Sequence, residues 1–496
     1  MTALSDAPAR EPVRPSPVSE PRTRVLIVPA VAVLLGGLFL YFYTRSDLWL
    51  DEALSVNIAR LPLPDLFDAL RHDGAPPLFY LLLHGWTAVF GSGDVAVRSM
   101  SGVLMLGAVV ATWFAARRLG GRRLAWLSAM IMLSNPYAIR YATEARMYAL
   151  EILVIACGIV AFQRVVDRPT NGRAALFGLV VALALYTQYW SFYLLPVVGV
   201  VLLWMMWRDR DREAARRLLV ATAAGCAAFL PWLPTFVYQG IHTGTPWGTP
   251  ILPALPFGYT IRDFAGGAGY GIEVQEGWLL FLMLFPLLLL GTFGRALDNR
   301  RIEVDVLPQR EVHVIAFVGG VGLAVALTLN YLAGGAFQSR YSALVFPFFV
   351  LLVARGFTTL RDPRVLAGAA ALTVLLGFAG GVRNVVTQRT QAGAVASVLR
   401  SDAHPGDLVV YCPDQVGPSV HRLAPKDLDE VVYPTFAGPE RVDWVDYKKR
   451  LARVDIQAFA RTALARAGTR VLWYVSAPGY IAHKNVCEAI DNLFAA

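Results

Sequence analysis

Asp51 and Glu52 stand side by side in the segment DLWLDEALSV, shortly after an apolar stretch, residues 25–43, that is long enough to cross a bilayer. Burying a carboxylate in a membrane costs about 2.5–3.5 kcal/mol for Asp at the bilayer centre, so acids beside a span need a reason. We predict that both are catalytic. The alternative is that they only favour the first turn of a helix that starts here.

Further polar side chains cluster at the ends of other apolar runs and are predicted to share the membrane depth of the acid pair. The candidate substrate-binding residues are His72, Asp73, Tyr141, Glu144, Arg146, Arg340 and Tyr341. A carboxylate can take the proton of a hydroxyl group, and a guanidinium matches the oxygens of a phosphate. This combination favours attack of an acceptor hydroxyl on a sugar carried by a lipid phosphate. Asp51 would be the base, and Arg146 and Arg340 would hold the phosphate.

Each binding candidate also has a structural interpretation. His72 and Asp73 could simply end a surface helix before the Pro-Pro break. Glu144 and Arg146 could form an interfacial ion pair. Arg340 could anchor the topology, and the tyrosines could belong to an aromatic belt at the membrane surface.

The composition indicates a membrane protein with many spans. Of 496 residues, 56% are hydrophobic and 16% are charged, whereas soluble domains carry about 25% charge. The net charge of +9 comes from arginines in short loops between apolar runs, as the positive-inside bias requires. We therefore interpret the basic charge as a consequence of membrane topology. We predict no nucleic-acid partner.

Eleven apolar runs are predicted to be transmembrane helices in an α-helical fold. They lie near residues 25–43, 95–116, 124–140, 145–163, 174–189, 191–207, 218–239, 277–294, 312–333, 342–359 and 365–382. The segment PPLFYLLLHGWTAVFG is too short to cross and would reverse the side of every later basic loop, so we predict an interfacial or re-entrant helix. Eleven crossings put everything after residue 383 outside the cytoplasm.

Three regions follow from this topology. Residues 1–24 are predicted to be a disordered cytoplasmic tail, and residues 25–383 a membrane domain whose first outer loop is 44–94. Residues 384–496 are predicted to be a small extracytoplasmic α/β domain. Cys412 and Cys487 lie in that domain, where an oxidising compartment permits a disulfide, although two buried free thiols would also fit.

The motifs DLWLDEALSV, HDGAPPLFYLLLHGWTAVFG, NPYAIRYATEARMYAL and QSRYSALVFP together resemble the GT-C superfamily of integral-membrane glycosyltransferases. The resemblance covers residues 25–383 and is strongest to the branch with protein O-mannosyltransferases and the aminoarabinose transferase of lipid A. It implies a sugar donor linked to polyprenyl phosphate, inversion at the anomeric carbon, and a catalytic aspartate at Asp51. The outer domain does not resemble the MIR domain of eukaryotic protein mannosyltransferases.

The resemblance therefore favours a bacterial enzyme of the plasma membrane that moves mannose or arabinose to a cell-envelope glycolipid or polysaccharide. A transporter or flippase of lipid-linked intermediates would require charged or broken segments deep within the spans, and these are scarce here. A polysaccharide polymerase or ligase is the other alternative. The metal requirement stays open, because the carboxylates and His72 of one loop could hold Mg²⁺ or Mn²⁺.

Overall fold

The computed structural model describes residues 23–208, 211–266, 275–298, 301–477, 479–480, 482–483 and 485–495. The predicted N-terminal tail lies outside the described residues, except that its last two positions begin the first helix.

The membrane region is built from helices and short 3₁₀ turns. The helices are α1 (Thr23–Phe42), α2 (Leu50–Ala59), α3 (Leu63–Asp73), α4 (Leu78–Phe90), α5 (Asp94–Ser134), α6 (Pro136–Ala142), α7 (Tyr148–Asp167), α8 (Asn171–Thr187), α9 (Leu194–Trp207), α10 (Arg212–Ala227), α11 (Leu233–His242), α12 (Ala254–Gly266), α13 (Gln275–Phe293), α14 (His313–Leu332), α15 (Phe346–Thr359) and α16 (Pro363–Val386). The 3₁₀ turns are Tyr189–Tyr193, Leu230–Trp232 and Ser339–Val345. A hairpin of two short antiparallel strands, β1 (Gly294–Ala296) and β2 (Ile302–Val304), follows α13.

Seven helical segments in the described ranges are long and apolar enough to cross a membrane. They are Asp94–Ser134, Tyr148–Asp167, Tyr189–Trp207, Arg212–His242, His313–Leu332, Ser339–Thr359 and Pro363–Val386. Four shorter apolar helices, Val28–Phe42, Leu78–Phe90, Asn171–Thr187 and Gly277–Phe293, accompany them. The chain is therefore a mostly helical, multi-pass membrane protein, as its composition predicted.

The difference between these seven segments and the eleven predicted spans has a structural origin. Helix α5 covers two predicted runs and breaks between them at Gly120 and Gly121, where the φ of Gly121 is +78°, a value that favours glycine. Three other predicted runs correspond to shorter apolar helices. The segment predicted to lie along the membrane forms α4, which has 13 residues. The count of eleven crossings stays a prediction.

Residues after 386 form a sheet with helices around it. Three parallel strands pair in the order β4 (Asp429–Val432), β3 (Leu408–Cys412), β5 (Leu472–Ser476), with Leu408 opposite Asp429 and Leu472. All five β3 side chains are buried and alternate between two hydrophobic clusters, one on each face of the sheet. The helices are α17 (Ala392–Asp402), α18 (Gly417–His421), α19 (Tyr447–Leu451), α20 (Ile456–Ala467) and α21 (Val486–Ala495). A disulfide joins Cys412 to Cys487, the pair predicted from the sequence.

This C-terminal region contacts the loop that carries the acid pair. Leu54 of α2 packs in one buried cluster with Val442 and Tyr447. The Asn57 amide donates to the Glu440 carbonyl at 2.7 Å. The C-terminal region thus packs directly against α2.

Candidate active site

Helix α2 begins at Leu50, so Asp51 and Glu52 occupy successive positions in its first turn. Successive residues of an α-helix point about 100° apart, so the two acids face different surroundings. The Glu52 side chain is 0% exposed, whereas the Asp51 side chain keeps 17% of its surface accessible.

Glu52 is fixed in a buried ion pair with Arg98 of α5. The Arg98 Nε lies 2.7 Å from Glu52 Oε1, and its Nη2 lies 2.5 Å from Oε2. The Ala145 amide donates to Oε1 at 2.9 Å. Burial alone would raise the pKa of Glu52, but the Arg98 guanidinium outweighs it and lowers that pKa. Glu52 therefore joins α2 to α5 and to the turn before α7, and we assign it a structural role instead of the catalytic one expected from the sequence.

Asp51 faces Arg340, which comes from the 3₁₀ turn before α15. Asp51 Oδ2 lies 3.3 Å from Arg340 Nη2, and both side chains are only partly accessible. The Arg340 guanidinium also lies 5.1 Å from the centre of the Trp49 ring, an arrangement that favours the cation. The structure thus brings together the predicted base and one of the two predicted phosphate ligands.

Arg146 lies on the other side of Asp51 and holds a small polar network. Its Nη1 donates to Ser55 Oγ at 3.0 Å, to the Tyr80 hydroxyl at 3.2 Å and to the Asp51 carbonyl at 3.4 Å. The Tyr80 hydroxyl in turn donates to Asp73 Oδ2 at 2.7 Å. Burial raises the pKa of Asp73, although Arg146 and the Tyr80 hydrogen bond oppose this change.

Sequence reasoning missed two members of this network. Ser55 lies one helical turn after Asp51, so helical spacing could have indicated that they share a face. Tyr80 lies beyond the Pro-Pro break, and no local pattern connects it with Arg146.

A polar pocket of about 240 Å³ extends from the far side of Arg340. Its polar lining includes Arg140, Tyr141, Glu144, Arg262, Asp263 and Gln338. Arg140 pairs with Glu144 at 2.9 Å, and Arg262 pairs with Asp263 at 3.1 Å. Arg340, which pairs with Asp51, also lines the pocket, so three guanidinium groups are available there to bind an anionic group. Arg140, Arg262 and Asp263 were not among the residues expected from the sequence.

Helix α12 separates this polar pocket from a larger apolar cavity of about 790 Å³. Phe257, Ile261 and Phe264 line the apolar cavity at helical spacing. Tyr259 and Arg262, on another face of the same helix, line the polar pocket. A ligand with a charged head and an apolar chain would find both compartments side by side.

The two candidate tyrosines, Tyr141 and Tyr341, lie close to this site and pack against other rings. Tyr141 is buried and lines the polar pocket, with its ring centre 4.9 Å from that of Tyr148. The Tyr341 ring centre lies 5.6 Å from that of Trp190. The tyrosines thus form much of the apolar support around Arg340.

His72 contacts the C-terminal region. Its Nδ1 lies 2.9 Å from Asp443 Oδ1, and its carbonyl accepts from the Trp444 amide at 3.1 Å. Arg450 binds the same Asp443 carboxylate at 2.6 Å. This placement gives His72 a role in joining the two parts of the chain.

Within the described part of the chain, one group of three metal-ligating side chains has its donor atoms within 4.8 Å of one another. It consists of Cys412, His483 and Cys487, and its two sulfurs are bonded to each other. Near Asp51, the second carboxylate of the site is Asp73, one oxygen of which accepts from Tyr80.

Asp414, buried beside the sheet, predicts a pH dependence of stability. Burial raises its pKa to about 7, and Tyr447 donates to it at 2.5 Å. Because the folded pKa exceeds the unfolded value of about 3.9, Asp414 stabilises the fold at low pH, and this contribution is lost as pH rises through 7. Most of this loss falls between about pH 4 and 7, so raising the pH from about 6.5 to 9 should cost about 1 kcal/mol.

Thermal unfolding of the detergent-solubilised protein at the two pH values would measure this loss. The neighbouring His483 has a pKa lowered to about 4 by burial, so its contribution changes only below about pH 6.5. The variant Asp414→Asn should lose the alkaline decline, and an unchanged decline in that variant would contradict the assignment.

Part of the chain is similar in sequence to known proteins. Residues 74–236 match the family described as dolichyl-phosphate-mannose-protein mannosyltransferase. An undecaprenyl phosphate-alpha-4-amino-4-deoxy-L-arabinose arabinosyl transferase of Shewanella sediminis is 26% identical over 230 residues, which are 44% of this chain and 41% of the relative. A Pseudomonas fluorescens protein described as a second such transferase is 27% identical over 40% of this chain and 39% of its own length. The chain thus aligns with about two fifths of these curated relatives.

The fold extends the likeness to nearly the whole chain. The crystal structure of ArnT from Cupriavidus metallidurans in the apo state has a TM-score of 0.61 at 15% identity and covers 92% of this chain and 93% of ArnT. Its structure bound to undecaprenyl phosphate has a TM-score of 0.56 at 15% identity and covers 91% of this chain and 90% of ArnT. The apo oligosaccharyltransferase of Archaeoglobus fulgidus has a TM-score of 0.52 at 11% identity and covers 83% of this chain and 65% of its own. The chain therefore has the fold of these membrane transferases, in agreement with the resemblance of its motifs to the GT-C superfamily of integral-membrane glycosyltransferases.

Proposed function

We propose that the protein is an inverting glycosyltransferase that moves a sugar from a polyprenyl-phosphate donor to an acceptor hydroxyl on the outer face of the membrane. The observation that carries this proposal is the Asp51–Arg340 pair, 3.3 Å apart, beside a polar pocket that adjoins an apolar cavity. A base, a phosphate ligand and a place for a lipid chain are thus available together.

In the proposed step, Asp51 accepts the proton of the acceptor hydroxyl as its oxygen attacks the anomeric carbon. The bond between that carbon and the phosphate oxygen breaks, and polyprenyl phosphate leaves with the electron pair. Arg340 stabilises the charge that develops on the phosphate. Because attack and departure occur on opposite sides of the carbon, the configuration inverts.

The contacts of Arg340 support this division of roles. Its pairing with Asp51 fixes the positions of the base and of the phosphate ligand relative to each other. Three arginines line the polar pocket beyond it, and each is paired with an acid: Arg140 with Glu144, Arg262 with Asp263 and Arg340 with Asp51. A phosphate entering the pocket would therefore find several guanidinium groups as hydrogen-bond donors.

The apolar cavity would hold the lipid chain of the donor. Its volume of about 790 Å³ lies within the usual range of about 300–1,000 Å³ for ligand sites, and apolar side chains dominate its lining. The ArnT structure bound to undecaprenyl phosphate has the same fold, which supports a polyprenyl phosphate as the donor lipid here.

The topology we propose has eleven crossings and an extracytoplasmic C-terminal domain. Helix α5 would cross twice, with its Gly120–Gly121 break at the cytoplasmic side beside Arg117, Arg118, Arg122 and Arg123. The acid pair and the C-terminal region then share the outer side, in agreement with their contacts at Leu54 and Asn57.

We favour mannose or an arabinose as the sugar, because the matched family is described as a mannosyltransferase and a relative as an arabinosyl transferase that uses 4-amino-4-deoxy-L-arabinose. We favour an envelope glycolipid or polysaccharide as the acceptor. If a divalent cation takes part, Asp51 and Asp73 are the carboxylates that would hold it, with the donor phosphate completing its oxygen ligands. Such a cation would neutralise negative charge on the leaving phosphate, in addition to the charge that Arg340 would neutralise.

The experiment that tests this function uses the purified protein with polyprenyl-phosphate mannose or polyprenyl-phosphate arabinose and a pool of envelope lipids. Release of polyprenyl phosphate that depends on the acceptor pool is expected with one of the donors. Release that is the same without acceptor would indicate hydrolysis and would contradict transfer. Repeating the reaction with a chelator would test the cation.

Arg340 should be essential for release of the phosphate. The variant Arg340→Gln removes the charge and should lower turnover by about 100- to 1,000-fold, the usual cost of losing one donor to a developing negative charge. Arg340→Lys should recover only part, since a lysine lacks the guanidinium fork. The exposed Arg60→Gln on the same outer loop is the matched control. Equal losses in all three variants would refute a specific role for Arg340.

A further inference from the structure

A second basic site lies at the opposite ends of the membrane helices. An arginine pocket of about 340 Å³ forms where α5, α7 and α8 meet. It is lined by Arg118, Ala161, Arg164, Gly172, Arg173 and Leu176. The proposed topology puts this pocket at the cytoplasmic surface, far along the helices from Asp51. The positive-inside bias explains why arginines occur here, but it does not require that they line one cavity.

Two of the three arginines are held in place by neighbouring groups. Arg118 forms an ion pair with Asp167. Arg173 Nη1 donates to the carbonyl oxygens of Arg164 and Arg168 at 2.8 and 3.4 Å. Asp167 is the acid paired with this group, so three guanidinium charges exceed its single carboxylate by two. The pocket is therefore a preorganised positive site.

The start of α8 adds to this positive character. Its N-cap residue, Thr170, makes no side-chain hydrogen bond to the helix, and the first turn contains no acid. Uncapped amide groups at a helix start attract anions. A side chain at Gly172 would meet no atom within 4 Å, so this glycine leaves the mouth of the pocket open.

Apolar surface borders the arginines on the side of the membrane helices. Leu176 is 43% exposed in the second turn of α8, and buried Ala161 forms part of the wall. A phosphate in the pocket would thus have room for an attached acyl chain along α8. This feature favours the headgroup of a membrane lipid over a free phosphate ion.

We propose that the arginine pocket binds the phosphate of an anionic phospholipid in the cytoplasmic leaflet. The bound lipid would stabilise the packing of α5, α7 and α8 at the ends where short loops connect them. This site is separate from the catalytic proposal, because none of its residues contacts the polar pocket or Asp51.

Native mass spectrometry of the full chain in detergent, titrated with phosphatidylglycerol or phosphatidylcholine, tests this site. The wild type should retain phosphatidylglycerol more tightly than phosphatidylcholine. Arg164→Gln should weaken phosphatidylglycerol binding by about fivefold, the usual effect of one basic residue near an anionic lipid surface. Arg310→Gln, a basic change outside the pocket, should leave binding unchanged.

Gly172→Glu separates lipid binding from folding. Glutamate in the first turn of a helix favours the helix, so the melting temperature in lipid-free detergent should stay the same or rise. Its charge would repel the phosphate, so phosphatidylglycerol binding should fall. Equal binding in Gly172→Glu and the wild type would overturn the proposal. So would full displacement of the lipid by excess inorganic phosphate, because that result identifies a site for a free anion.

Discussion

Asp51→Asn is expected to lower sugar transfer by about 100- to 10,000-fold, the contribution that a positioned base makes to a proton transfer. The substitution nearly conserves shape, and Asp51 is partly accessible, so the folded structure should tolerate it. The rate of polyprenyl phosphate release measures the first effect. The melting temperature and the binding of the intact donor should change little, because Arg340 and the apolar cavity stay intact.

The matched control is Asp65→Asn, which removes an exposed acid from α3 in the same outer loop. It should keep the wild-type rate. Full activity in Asp51→Asn would remove Asp51 as the base and would reopen the assignment of the site. An equal loss in the control would point to a general effect of loop charge.

Glu52→Gln is expected to act on stability, in contrast to its neighbour. The change leaves the buried Arg98 guanidinium, 5% exposed, without its counter-charge. Breaking a buried ion pair from one side usually costs about 3–5 kcal/mol. A lower melting temperature in detergent, with reduced yield of folded protein, would report this loss.

A double substitution distinguishes the ion pair from other effects of Glu52. Replacing both partners, as Glu52→Leu with Arg98→Met, removes both buried charges and should recover part of the stability lost in either single variant. If Glu52→Gln unfolds like the wild type but loses transfer, the structural role is wrong and Glu52 belongs to the chemistry.

Much of the membrane fold follows from local patterns. Apolar runs predicted the positions of α7, α14 and α16 because each helix must be apolar over its own length to cross a bilayer. The boundaries inside the 94–134 region were less predictable, because two short apolar runs joined by RRLGGRR form one helix with a break at Gly121. The α/β fold of residues 384–496 was predictable because its strands are apolar in sequence. One of them, β3, is buried on both faces of the sheet.

The site was only partly predictable because its contacts join distant residues. Asp51 and Arg340 could be proposed together from chemistry, and their contact agrees with that idea. The direction in which the Glu52 side chain points depends on where α2 starts and on its partner Arg98. No sequence spacing connects Arg98 with Glu52. His72 contacts Asp443, and Arg262 reaches the polar pocket from α12. Neither contact could be predicted from the local sequence pattern.

The most direct test of the central claim is the anomeric configuration of the transferred sugar, determined by NMR on the product of wild-type protein with the donor it uses. Single displacement with Asp51 as the base predicts inversion relative to the donor, with one polyprenyl phosphate released for each sugar transferred. Retention would contradict the account, because it requires two successive displacements and a covalent intermediate that a general base does not form.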